Sequence, residues 1–221
     1  MDYLVHSLLD NSSAEEIVKN LLSNHSYWQD GVKTAGAQAA KVKNNFQLDR
    51  NSEISIELSN KIIDYLISDP LIKSFVIPKK FHSIMFTKSS TGQAYGMHVD
   101  NPYMSSGRSD LSFTLFLSNK NSYQGGELCI QNLQENKKIK LNAGEIIIYP
   151  STSLHCVEKV TEGQRLVCVG WIESYIASNE ERSFLFGMEA GAKGLLAKHG
   201  RSPELDLIFQ AYSNLVRRLG D

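Results

Sequence analysis

Apolar residues recur along this chain in two rhythms, one of three to four residues near both ends and one of two through the middle. Near the start, Ser13-Ala-Glu-Glu16 has the form of a capping box, and Ile17, Val18, Leu21 and Leu22 continue it as a stripe, which predicts a helix over about 14–23. The stretch from Trp28 to Gln47 has no clean period and reads as loop and irregular strand. Ile54, Leu58, Ile62 and Leu66 recur at every fourth position, with Ile63 and Ile67 widening the stripe, and Asp69-Pro70 stops this second helix. From Phe81 to Ile172 the helical period gives way to short β-rich runs: FHSIMF, YGMHV, LSFTLFL, ELCIQNL, KIKL, EIIIYP, HCVEKV and RLVCVGWI. Glycine stands where tight reversals need it, in Gln124-Gly125-Gly126, Asn142-Ala143-Gly144 and Thr161-Glu162-Gly163. Many short strands spaced in this way predict a sandwich or barrel.

After Ser178 the helical period returns. Ser202-Pro203 caps and opens a last helix, on which Leu205, Ile208, Phe209, Tyr212, Leu215, Val216 and Leu219 form one face. The chain is therefore expected to be mainly β with flanking helices. Three parts are expected: a helical and irregular support region over 1–77, a β core over 78–177, and a small C-terminal helical subdomain over 178–221 packed on the sandwich. A partner-binding or dimerising role for the last helix, giving a homodimer, is the alternative.

Composition narrows the function. A chain of 221 residues, 42% hydrophobic, can bury a full core. Lys and Arg number 23 against 24 Asp and Glu, so bulk charge draws the protein neither to nucleic acid nor to an anionic membrane. No apolar run approaches the roughly 18 residues of a membrane span. No basic stretch precedes the few apolar residues between Met1 and Asn11, and a cytoplasmic protein is expected. Cys129, Cys156 and Cys168 match neither a redox pair nor a zinc knuckle and read as small buried side chains in a reducing compartment. Cys156, next to His155, is expected to face away from it.

The chemistry gathers around His98 and Asp100. Two residues apart in an extended segment, they project from one face and can grip one metal ion. A lone H-x-D triplet arises readily by chance, so its surroundings decide. Two histidines and a carboxylate suit Fe(II) held on one side with positions left open, and His155, after the turn that follows the apolar strand Glu145 to Tyr149, is the third candidate. His6, His25, His82 and His199 have no partners at ligand spacing. Arg165 alternates with Val167 and Val169 on one face of a strand, and is either a snorkelling edge residue or a buried cation that requires an anion. If the turn before it carries the chain to the opposing sheet, a short dicarboxylate bound to the metal reaches its guanidinium.

Several longer motifs stand in order around these residues: DGVKTAGAQAAKVKNN from Asp30, YGMHVD from Tyr95, DLSFTLFLSN from Asp110, YQGGEL from Tyr123, and GEIIIYPSTSLHCVEKVTEGQRLVCVGWIES from Gly144. Together with the helical tail they resemble the PKHD-type hydroxylases, a branch of the Fe(II)/2-oxoglutarate-dependent dioxygenases related to prolyl and lysyl hydroxylases. The resemblance implies a double-stranded β-helix (jelly roll), iron on His98, Asp100 and His155, and 2-oxoglutarate held by Arg165. It also implies hydroxylation with succinate and carbon dioxide as coproducts, with ascorbate a candidate reductant. Retention of Asp100 favours hydroxylation over halogen transfer.

One departure stands out. Where relatives commonly have an Arg-Tyr pair upstream of H-x-D, this chain has Lys88-Ser89, so a tyrosine hydroxyl is missing and Thr114 is a candidate substitute. Asn101 to Arg108 has the glycine and serine content of a mobile lid, with Tyr103 and Arg108 as candidate substrate contacts, and Lys41 to Asn45 is a candidate cavity mouth. Two rival readings remain. A cupin-like metal-binding or sensing module has no evident use for Arg165, and a nucleic-acid dealkylase would resemble its kind in an R-x-N-x-T-x-x-R run where this chain reads RLVCVGWI. The substrate, small molecule or peptidyl, is not specified.

Overall fold

The protein was examined as a computed structural model that describes residues 3–34, 39–131 and 136–221. Residues 35–38 of the expected irregular loop, and Asn132-Leu133 at the end of an expected strand, lie outside the described residues. The strands in chain order are β1 (Leu4–Ser7), β2 (Trp28–Asp30), β3 (Lys43–Asn44), β4 (Phe46–Leu48), β5 (Pro78–Ser90), β6 (Ala94–His98), β7 (Tyr103–Met104) and β8 (Gly107–Arg108). They continue as β9 (Leu111–Phe116), β10 (Tyr123–Gly125), β11 (Leu128–Gln131), β12 (Asn136–Ile139), β13 (Glu145–Pro150), β14 (His155–Val157) and β15 (Val160–Ser174). The helices are α1 (Asn11–Ser23), α2 (Glu53–Ser68), α3 (Pro70–Val76), α4 (Asn179–His199) and α5 (Pro203–Leu219).

Helix α1 starts a turn before the expected box, because the Asp10 carboxylate accepts from the Ser13 amide at 2.7 Å and so caps the helix. Asp69-Pro70 ends α2 as expected and at once begins α3. The Asp69 side chain accepts from the Ile72 amide at 2.8 Å, and proline sits where a missing amide hydrogen costs nothing. Strand β1 carries too few apolar residues to register as a period, yet it pairs along β13 from Leu4 opposite Ile148 to Ser7 opposite Glu145.

Two antiparallel sheets make the jelly roll. The larger runs β1-β13-β9-β15-β5-β4-β2, with β10 added beside β15, and the smaller runs β12-β11-β14-β6-β3. Period-two alternation assigns each side chain of the larger sheet to a layer. Leu111, Phe113 and Leu115 of β9, Ile146 and Ile148 of β13, and Leu166, Cys168 and Ile172 of β15 join a core with Ile17, Leu21, Ile62 and Leu66 from the helices. Phe116, Ile147, Tyr149 and Val167 turn the other way, against Leu128, Ile130 and Ile139 of the smaller sheet. With both faces covered, these strands read as almost unbroken apolar runs, and each fully buried Leu or Ile contributes about 1.5–3 kcal/mol. Exceptions to apolarity on the inter-sheet face, Ser112 and Thr114 of β9, Arg165 of β15 and Thr87 and Ser89 of β5, mark the site.

The glycine turns behave as the sequence implies. Gly125 has φ +69°, and a Cβ there would stand 2.1 Å from the Lys159 carbonyl oxygen on the strand it pairs with. Gly125→Ala should therefore cost about 2 kcal/mol or more in urea unfolding, from left-handed strain and the backbone clash together. A loss under a few tenths of a kcal/mol would contradict this turn geometry.

Candidate metal centre

Register brings the first two histidines together. Strand β14 pairs with β6 so that His155 lies directly opposite His98, with an irregularity just beyond. His98 is the last residue of its strand, and Asp100 follows two positions on, its carboxylate facing both rings. The His98 Nε2 atom lies 3.9 Å from Asp100 Oδ1, and His155 Nε2 lies 3.9 Å from Asp100 Oδ2. One ligand atom from each of the three residues falls within 4.8 Å of the others, the spacing of groups able to share one ion.

Protonation is arranged locally. His98 Nδ1 lies 2.8 Å from the Gly96 carbonyl and His155 Nδ1 lies 2.9 Å from the Ser153 carbonyl. A carbonyl only accepts, so each Nδ1 carries a hydrogen and each Nε2 is the ring nitrogen that faces Asp100. Burial, then the neighbouring His155, pushes His98 down to about 4, which keeps that ring neutral and available. Tyr95 stacks on His98 at 3.7 Å between ring centroids and fixes its plane.

Asp100 is held by a chain of hydroxyls that the sequence reading missed. Ser112 Oγ donates to Asp100 Oδ2 at 2.6 Å, Ser151 Oγ lies 2.8 Å from Ser112 Oγ, and Ser109 Oγ donates to Ser151 at 2.9 Å. Since Ser151 accepts from Ser109, its own hydrogen is free for Ser112, and all three dipoles align toward the carboxylate. Ser112→Ala should weaken Fe(II) binding about 10- to 100-fold, as loss of an outer partner does. Anaerobic competition against a chromophoric chelator measures it, and unchanged affinity would remove Ser112 from the site.

Arg165 comes from the opposing sheet. It is 3% exposed, lines the same cavity of about 330 Å³ as the three ligand residues, and lies 5.4 Å over the Phe116 ring. No carboxylate pairs with it among the described residues, and its Nε has no hydrogen-bond acceptor there. Burial draws the guanidinium below its ordinary range, partly offset by the nearby Tyr123 and Tyr149. Ser89 is its cross-strand neighbour, so the phenol absent at position 89 is met by two phenols from other strands. Tyr149 is fully enclosed, its ionisation pushed well above the ordinary range by burial, and Thr114 lies within its reach; the Tyr123 hydroxyl has no hydrogen-bond partner among the described residues. Thr114 itself lines the cavity.

The rim differs from expectation in two places. Tyr103 is 69% exposed at the cavity edge. Arg108 is not a cavity residue. Its guanidinium is taken up by Asp110 at 2.7 Å, Asp221 at 2.8 Å and the Ser174 carbonyl at 2.9 Å, which corrects its reading as a substrate contact. Nor is the 101–108 segment a free lid. Strands β7 and β8 form a hairpin fastened through Ser106 Oγ to His82 Nδ1 at 2.7 Å and through the Ser106 carbonyl to Lys80 at 3.1 Å. On the far side of the mouth, Lys43 and Asn45 line the cavity, with Lys43 pushed down to about 8 by burial and then by Arg50. Cys156 does face away from the ligands, and it stands opposite Cys129 across β11 and β14, both thiols free.

The three candidate ligand residues fit a divalent iron, and the buried guanidinium, with no carboxylate partner among the described residues, fits a carboxylate. The sequence profile of the 2OG-Fe(II) oxygenase superfamily matches residues 84–173. A PKHD-type hydroxylase of Prochlorococcus marinus strain NATL1A is 64% identical over 221 residues, with all of both chains covered. Among solved structures, a prolyl hydroxylase from Trichoplax adhaerens, in complex with a hypoxia-inducible-factor peptide fragment, aligns with TM-score 0.59 at 16% identity over 83% of this chain and 86% of that one. A Pseudomonas putida prolyl-4-hydroxylase aligns with TM-score 0.56 at 15% identity over 78% of this chain and 92% of that one. These distant structures share the double-stranded β-helix. Neither the silent metal-binding module nor the nucleic-acid dealkylase draws support from these relatives. The chain belongs to the PKHD-type hydroxylases of the 2OG-Fe(II) oxygenase superfamily, enzymes of Fe(II) and 2-oxoglutarate.

Proposed function

We propose that His98, Asp100 and His155 hold Fe(II), that Arg165 holds the distal carboxylate of 2-oxoglutarate, and that the enzyme hydroxylates a C–H bond of a small-molecule or peptidyl substrate. What carries this reading is the coexistence, in one cavity, of three convergent ligand atoms and a buried guanidinium lacking a carboxylate partner among the described residues. When bound, the metal and the keto acid supply the oxidising chemistry with dioxygen, leaving succinate and carbon dioxide.

The chain's own groups bind, orient and exclude water. The two imidazoles present their Nε2 atoms, and Ser112 keeps both carboxylate oxygens of Asp100 turned inward. Arg165 fixes the far end of the diacid by charge-assisted hydrogen bonds, with Tyr149, Tyr123 and Thr114 as neighbouring polar surface. Phe116, Leu128 and Val169 close the wall around them. A substrate enters between the β3 side, with Lys43 and Arg50, and the hairpin side, with Tyr103 and Met104. Ascorbate is the candidate reductant. No helix among the described residues is long and apolar enough to cross a membrane, and three free cysteines support placement in a reducing cytoplasm.

Anaerobic mixing of the purified protein with Fe(II) and 2-oxoglutarate should give the weak visible charge-transfer band of a bidentate keto-acid chelate. Succinate should follow on admission of oxygen. No band at saturating cosubstrate would end the assignment.

A further inference from the structure

Helix α4 is apolar on two sides, and the fold uses one. Leu185 and Ala192 are buried, the Phe186 ring meets Phe75 edge-on at 5.5 Å between centroids, and the Glu189 carboxylate accepts from Ser74. On an adjoining side Phe184, the half-buried Met188, Gly191 and Leu195 follow one another at helical spacing, all within about 60° of a common direction at roughly 100° per residue. Phe184 is 70% exposed and Leu195 47% exposed. A methyl group added at Gly191 would meet nothing within 4 Å, nor would one at Gly187 or Gly194 on the flank beside it, so no described part of the chain covers the middle of this face.

The ends of the same face carry opposite charge. Glu180 and Glu181 stand at its start, Lys198 and His199 at its finish, and none of the four forms an ion pair among the described residues. Such a pattern is complementary to itself when reversed. Laid antiparallel on its own copy about a two-fold axis between Met188 and Gly191, the face sets Phe184 over Leu195 of the partner subunit and Met188 over the open backbone of Gly191 of the partner subunit. It also sets Glu180 beside Lys198 of the partner subunit and Glu181 beside His199 of the partner subunit. Each contact occurs twice, and the bulky residues of one copy meet the bare glycine stretch of the other. A parallel arrangement would stack glutamate on glutamate. A membrane surface would favour basic residues along the whole flank, and here they occupy one end only.

We propose that the protein is a two-fold homodimer assembled through this face of α4, independently of the chemistry assigned to the cavity. Sedimentation equilibrium of the full chain should give twice its 24.7 kDa mass. Phe184→Glu, at a solvent-facing position, should give the single-chain mass with unchanged helical circular dichroism. Glu180→Lys and Lys198→Glu should each raise the dissociation constant roughly tenfold, since each places like charges together at both symmetric ends, and the double variant should return toward wild type. A monomeric wild type throughout the micromolar range would overturn the proposal. A dimer indifferent to all these substitutions would overturn it too, as would weakening by both single variants without rescue in the double. If Phe184→Glu fails to fold, the charge exchange decides alone.

Discussion

Arg165→Leu should make the free protein more stable and the enzyme far less able to retain its cosubstrate. The guanidinium is fully enclosed, its Nε has no acceptor among the described residues, and burial already disfavours its charge. Replacing a buried, imperfectly satisfied cation by an aliphatic group is commonly neutral or stabilising by about 1–4 kcal/mol, so the thermal midpoint of the variant without cosubstrate should rise or stay level. Removing one partner of a buried charge pair costs the complex about 2–5 kcal/mol, roughly 30- to 5000-fold in the 2-oxoglutarate dissociation constant. Fe(II) binding should be nearly unchanged, because none of the three ligand residues touches Arg165 through a hydrogen bond. Anaerobic titration of the visible band at fixed iron measures the loss of cosubstrate affinity, and a thermal melt without cosubstrate measures the stability. A variant that keeps wild-type cosubstrate affinity would sink the role given to Arg165. A large fall in stability would instead mark the arginine as a structural member of the core.

Asp100→Asn should abolish iron retention with little change in shape. The side chains are isosteric, and the Ser112 hydroxyl can still donate to the remaining carbonyl oxygen. What disappears is the negative charge facing the two imidazoles, leaving a donor set without an anion for a divalent ion. Loss of an outer hydrogen-bond partner costs such sites about 10- to 100-fold in metal affinity, so loss of a direct ligand should exceed roughly 100-fold. His155→Ala should match it while also opening a void beside Tyr149, whose ring centroid lies 5.2 Å from that imidazole. Chelator competition and succinate release are the measurements. Near-normal turnover in either variant would refute the three-residue centre.

The sequence was most readable where one local rule decided the outcome. The stripe at Ile54, Leu58, Ile62 and Leu66 became α2, and the glycine turns took the left-handed conformations their spacing implies. The ligand set was legible because His98 and Asp100 share a face by spacing alone, and the motif around His155 supplied the rest. What escaped depends on contacts between residues far apart in the chain. Arg108 resembles a lid residue in its own segment, yet its charge is claimed by Asp221, which lies 113 positions away. The serine chain has the same character. Ser109, Ser112 and Ser151 are ordinary hydroxyls in sequence, and only the pairing of β9 with β13, Ser112 opposite Tyr149, brings them into line. Strand β1 was invisible because its partner β13, rather than its own pattern, makes it a strand.

Both candidate ligand imidazoles are oriented by the carbonyl two residues before them, Gly96 within β6 and Ser153 in the turn before β14, so each half of the centre is prepared by purely local backbone. What joins the halves is the edge between β6 and the three-residue β14, broken by an irregularity immediately after the histidine pair. Iron escape is thereby tied to the fraying of one short ladder, and the dissociation half-life of the ion should follow amide exchange at His155 and Val157 more closely than the global unfolding of the jelly roll.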